Sequence, residues 1–123
     1  MKKTIFFLAL ISVLSVWLIA GCGPKAGIYG RPLTEAKITA ISELFKSPDE
    51  FAGKTVRLEG KIVQECPSGG WVMLKDNTGV ILVDLHPSEI AIPQAVGHNL
   101  AAQGKVKKEY GQVSVVGEGV DLK

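Results

Sequence analysis

The residues able to do chemistry in this sequence are few and scattered. Its thiols and imidazoles are Cys22, Cys66, His86 and His98. Thiolate and imidazole suit zinc, copper or haem iron, so Cys66, His86 and His98 are the candidate metal ligands. None of their spacings matches a short metal motif, and both histidines fall in predicted loops, where a solvated ring is the commoner state. No metal or other cofactor is expected. Catalysis has less to work with. The chain has no Ser-His-Asp order with supporting turns, no Cys-His pair at a known spacing and no phosphate-cradling glycine loop. Asp76 and Asp84 flank a predicted hairpin, yet Asp76-Asn77-Thr78-Gly79 is a turn sequence in which Asp is the turn former. No enzyme is expected.

Binding chemistry is better represented. Arg57, Lys61, Trp71 and Lys75 fall on consecutive predicted strands, with Lys105, Lys107 and Lys108 further along and Tyr110 after them. Cations interleaved with aromatics bind single-stranded nucleic acid by tracking its backbone and stacking on its bases. The plainer reading has Trp71 filling the end of a barrel and the lysines solvating its outer face. Charge favours the plainer one. The sequence has 14 basic and 12 acidic residues, and taking away Lys2 and Lys3 leaves 12 of each. A neutral domain lacks the basic face that usually marks a nucleic-acid binder.

Those two lysines belong to an export signal. After them, Ile5 to Ala20 is an uncharged run of 16 residues, shorter than the roughly 20 apolar residues a spanning helix needs. A positive start with a short apolar core is a secretory pattern. The run ends in Leu18-Ile19-Ala20-Gly21-Cys22, which resembles a bacterial lipobox. The resemblance implies cleavage after Gly21 and lipidation of Cys22, hence a stable membrane anchor of more than one acyl chain. Gly23 stands where an Asp would direct inner-membrane retention, so the expected place is the outer membrane, facing the periplasm, if the source has two membranes. With Cys22 consumed by lipid, Cys66 is unpaired in an exported chain. It is open to pairing between chains, to ligating, or to packing as a small apolar residue.

The remaining residues, about 100, suffice for one small domain. Gly23 to Leu33 holds three glycines and two prolines, and 22–33 is read as a lipidated flexible tether. The domain occupies 34–123. Ile38, Ile41, Leu44 and Phe45 are spaced three and four apart, which predicts a helix over Thr34 to Lys46, capped by Thr34 and ended by Ser47-Pro48. Five strands follow. Thr55 to Glu65 alternates, with Gly60 suggesting a bulge or bend. Trp71 to Leu74 and Val80 to Leu85 flank the Asp76–Gly79 turn, the second apolar on both faces and therefore central. Asn99 to Glu109 bends at Gly104, and Gln112 to Val120 follows a turn at Tyr110-Gly111. A short helical turn is expected within Ser88 to Ala95. One helix and then five short strands with interior glycines predict a mainly β protein, a small five-stranded Greek-key barrel of the OB-fold type.

The phrase Val56-Arg57-Leu58-Glu59-Gly60-Lys61-Ile62, followed by Leu74-Lys75-Asp76, the Thr78-Gly79 turn and the mostly β-branched Val80-Ile81-Leu82-Val83, resembles the OB-fold nucleic-acid-binding superfamily of the tRNA-anticodon and replication-protein type. It covers residues 38–122 and implies fold more than ligand, because this fold hosts many functions. Cys66-Pro67-Ser68-Gly69-Gly70-Trp71 is similar to the Cys-Pro-x-Gly-Cys-Trp phrase of small exported OB-fold proteins. Gly70 replaces the second Cys, so any disulfide or dithiol metal site implied by that resemblance is incomplete here. The expectation is an envelope lipoprotein whose domain is a binding module, with Arg57, Lys61, Trp71, Lys75 and Tyr110 as the candidate ligand-binding residues and the loops around Cys66–Gly70 and His86–Gly97 as the surface for an envelope protein, peptide or glycan. Nucleic-acid binding by the same face and metal or haem binding at Cys66 and His86 are the alternatives.

Overall fold

The structure is a computed structural model and describes residues 23–123. The expected signal segment 1–21 and the lipidated Cys22 lie outside the described residues. Alternation dictates the strands. In β2 (Thr55–Glu65) Val56, Leu58 and Ile62 turn inward and are buried, while Arg57, Glu59 and Lys61 face outward. The same two-residue period buries Val72 and Leu74 of β3 (Trp71–Lys75), Ile81 and Val83 of β4 (Val80–Asp84) and Leu100 and Ala102 of β5 (Asn99–Glu109), and in β6 (Gln112–Leu122) it buries Val115 and, after a change of phase at Gly119, Val120 and Leu122. Full burial of each such Val, Leu or Ile is worth roughly 1.5–3 kcal/mol, so the interior face of the sheet dominates the stability.

The sheet closes on itself. β2 pairs with β3, β3 with β4, and β5 with both β2 and β6, all antiparallel, and the parallel pairing of β4 with β6 at Val83–Val115 completes the ring. This is the five-stranded Greek-key barrel of the OB-fold. Register slips at two places. One lies between Ile62 and Gln64, three residues beyond Gly60, and the other between Gln103 and Gly104.

Three local expectations change. The tether is not unstructured throughout, because Gly27–Gly30 form strand β1, antiparallel to Gly119–Leu122 of β6. β6 is longer than β4, and β1 pairs the backbone groups that β4 leaves open. The predicted helix over 34–46 is shortened to α1 (Ile41–Lys46), followed by the single turn α2 (Pro48–Phe51). Residues 34–39 are instead drawn out along the barrel. The backbone N–H groups of Thr34 and Glu35 donate to Gln103 Oε1, each at 2.8 Å, and Thr39 N–H donates to the Arg57 carbonyl at 2.8 Å. Thr34 therefore caps no helix. Asp76 caps α1 from the β3–β4 hairpin, accepting the Ile41 N–H on Oδ2 at 2.9 Å. The β4–β5 connection carries its helical turn at His86–Ser88, and the rest packs Ile90 and Ile92 into the core. α1, through Ile41 and Leu44, closes the barrel end at the Asp76 hairpin. The β4–β5 connection closes the other, tied by Ile92 N–H to the Gly69 carbonyl at 3.1 Å.

Candidate functional site

The outward residues of β3 and β4 do not read as an ordinary solvated surface. Trp71, Met73 and Lys75 leave β3 on one side, and Leu82 and Asp84 stand across from Met73 and Trp71 on β4. Trp71, Met73 and Leu82 are half-buried, and with Gln64, Asp84 and His86 they line a groove of about 380 Å³ on the outside of the barrel. Trp71 therefore does not fill the barrel interior. Val72 and Leu74 do that from the same strand.

One rim of the groove is polar and ordered. Asp84 Oδ1 accepts the His86 backbone N–H at 3.1 Å and lies 3.0 Å from His86 Nδ1. The other imidazole edge rests on Gly70, where a Cβ would overlap the ring. Gly70 and Trp71 are held by the Cys66–Trp71 loop, whose Cys66 N–H donates to the Trp71 carbonyl at 3.0 Å, while Leu85 N–H donates to the Gly70 carbonyl at 2.9 Å. An apolar floor with a few convergent polar groups is the ordinary make-up of a ligand site.

Cys66 is half-buried and unpaired. Its Sγ lies 3.0 Å from Ser68 Oγ. That hydrogen bond, helped by the backbone amides of Ser68, Gly70 and Gly69, holds the thiol below its usual range against the opposing effect of desolvation. His98 is at a different place, with Nδ1 3.2 Å from the Lys123 carbonyl oxygen. Among the described residues no three His, Cys, Asp or Glu side chains are placed to hold a metal ion. Cys66, His86 and His98 do not form a common ligand set.

The predicted binding residues divide. Lys61 and Lys75 are direct cross-strand partners, both exposed. Arg57 is engaged in the fold itself. Its guanidinium pairs with Glu59 at 2.8 Å and donates to the Glu35 carbonyl at 3.2 Å, while its Nε is buried without a partner. Tyr110 is 95% exposed at the tip of the β5–β6 hairpin and contributes nothing to the groove. Lys107 and Lys108 pair with Glu109 and Asp49. Met73, Leu82 and Gln64 were not predicted as site residues. The apolar character of both faces of Val80 to Leu85 was the available signal, since an outward apolar residue on a closed barrel needs a cover or a ligand.

The barrel is similar to that of the hypothetical protein ygiW from E. coli. That solved structure matches with a TM-score of 0.54 and 23% identity over 76% of this chain and 96% of the other. No protein-family profile and no curated protein sequence matches the chain.

Proposed function

We propose that this chain is a lipid-anchored envelope protein that acts by binding and not by turnover, with the outer face of β3 and β4 as its binding surface. The observation that carries the reading is the groove of Trp71, Met73 and Leu82, rimmed by Gln64, Asp84 and His86. The lipobox-like run ending in Cys22 supports the anchor and the location, an outer membrane facing the periplasm where there are two membranes. The OB-type barrel, a frequent host of ligands on this face, supports the binding role. An envelope protein or peptide fits the groove best, because half-buried Trp and Met are the residue types enriched at protein interfaces.

The test places a photo-cross-linker at Met73, at Leu82 and, as a control, at Tyr110 in the full chain in its own cell. A specific adduct shared by the first two and missing from the third is the expected result. No specific adduct from either groove position removes the proposal. Acylation is checked separately by the mass of the mature N-terminus, with Cys22→Ala expected to abolish it.

A second reading, single-stranded nucleic acid, has one observation in its favour: Lys75 leaves β3 on the same side as Trp71, beside Lys61. In a form beginning at Gly23, Trp71 is the only tryptophan. A saturable, salt-sensitive change in its fluorescence on adding a short oligonucleotide would move this reading ahead of the first.

A further inference from the structure

The cross-strand pair Lys61–Lys75 is anomalous. Like charges directly opposite one another in a sheet repel, yet neither side chain has an ion-pair partner among the described residues. The two lysines, with Asn77 and Asn99, line a depression of about 480 Å³. Two acids also line it, and both are engaged by other groups. Glu59 pairs with Arg57 at 2.8 Å. Asp76 accepts the N–H groups of Ile41, Thr78 and Gly79 and the Thr78 hydroxyl. Arg57 balances Glu59, and the single Asp76 carboxylate is turned to the start of α1, so two ammonium groups beside two side-chain amides leave the depression net positive, a combination that suits anionic oxygens.

The position of this depression in the fold says which anion. Gly27 pairs with Leu122, Leu122 with Leu100 and Leu100 with Gly60, so the start of β1 and the middle of β2 lie in one row. One residue further, Asn99 pairs with Lys61 and accepts the Lys123 N–H at 3.0 Å, which continues the next row from Lys75 to Lys123. Chain entry and lysine pair are therefore joined by adjoining ladder rows, a belt that winds from β1 through β6, β5 and β2 to β3. Only Gly23 to Ala26 separate Cys22 from β1. At 3.3–3.6 Å per residue this stretch reaches at most about 18 Å. A lipid on Cys22 keeps β1 within that reach of the bilayer, from where the lysine end of the belt can turn onto the surface, whose charge acts over a screening length of about 8–10 Å.

We propose that Lys61 and Lys75, with Asn77 and Asn99, dock on the anionic phosphate headgroups of the membrane that holds Cys22, fixing the barrel's orientation on that surface. The proposal rests on the lipid-anchor reading above. The short tether favours lipid over nucleic acid, since it supplies headgroup phosphate continuously to this belt.

The experiment uses the full chain in its lipid-modified form on vesicles of phosphatidylcholine alone or with one third phosphatidylglycerol. Flotation is scored first. An amine-reactive reagent then reports the rate of modification at each lysine by mass spectrometry. Each lysine near an anionic surface contributes about 1 kcal/mol, roughly fivefold in occupancy. The rates at Lys61 and Lys75 should fall about fivefold or more on the anionic vesicles and recover in about 1 M salt, where screening shortens to about 3 Å. Lys105, exposed and six residues along the β5 ladder from Asn99, about 20 Å away, should not change. Equal rates on both vesicles, with flotation intact, overturn the docking and leave the anchor standing. Failure to float on neutral vesicles overturns the anchor reading and the docking with it. Protection by inorganic phosphate or an oligonucleotide, with none by anionic vesicles, assigns the depression to that ligand and overturns the membrane.

Discussion

Gly70 lies against the Nε2 edge of the His86 ring, and a Cβ at position 70 would occupy the space of the imidazole. His86 is exposed and its ring is the free end of a side chain, so Gly70→Ala should displace the ring at a cost under about 1 kcal/mol, as for most surface changes. The Asp84–His86 contact should be lost, seen as a shift of the His86 ring resonances. Neighbouring Gly69 is different. Its φ is +77°, and a Cβ there would strike the Ile92 backbone. Left-handed backbone alone costs a residue with a side chain roughly 1–2 kcal/mol, and here the obstacle cannot swing away. Gly69→Ala should lower stability by about 3 kcal/mol or more in denaturant melts. Equal effects of the two changes would contradict the arrangement of this loop.

Asp76 joins the β3–β4 hairpin to the start of α1. Partial burial pushes its carboxyl up, but the hydrogen bonds from the Thr78 hydroxyl and from the Ile41, Thr78 and Gly79 amides outweigh this and leave it below the usual carboxylate range. A depressed folded-state pKa stabilises above the unfolded value and is lost as pH falls through the folded one. The wild type should therefore lose this stabilisation only below about pH 4. Asp76→Ala should be less stable by about 1–2 kcal/mol at neutral pH, the range for a lost cap, and its deficit should shrink in acid. A pH-independent deficit in thermal melts would count against the role.

Cys66 owes its lowered pKa first to the Ser68 hydroxyl. Ser68→Ala should move the pH profile of Cys66 alkylation upward, because only the thiolate reacts. An unchanged profile would show that the backbone amides suffice.

Gln103, buried on β5, accepts the N–H groups of Thr34 and Glu35 on Oε1 and donates from Nε2 to the Thr34 hydroxyl at 3.1 Å. Gln103→Ala strips partners from two backbone donors, each costing about 1–3 kcal/mol if left dry. Faster amide exchange at Thr34 and Glu35, with β3 and β4 unaffected, is the expected outcome. Global loosening would show that the strap holds the barrel closed.

Much of the fold is legible because strand character is written locally. Val56, Leu58 and Ile62 against Arg57, Glu59 and Lys61 declare a half-buried strand without reference to any other part of the chain. The turn at Asp76–Gly79 is equally local. The helix was overextended for a non-local reason. Thr34 to Thr39 carries a helical spacing, but its N–H groups find Gln103 and Arg57, which are distant in sequence. Strand β1 was missed for the same reason, since its partner is the far end of β6.

The candidate site shows the same division. By itself the sequence determined that there is a lipobox-like cysteine, that Trp71 begins a strand, and that Lys61 and Lys75 lie on neighbouring strands. Only the tertiary structure decided that Arg57 is held by Glu59 and the Glu35 carbonyl, that Tyr110 stands apart, and that Trp71, Met73 and Leu82 share one groove. The physical reason is the range of the information. Alternation says which side of a strand a residue takes, a property of its nearest neighbours. Register and closure say which residues meet, and both depend on pairings between strands far apart in the chain.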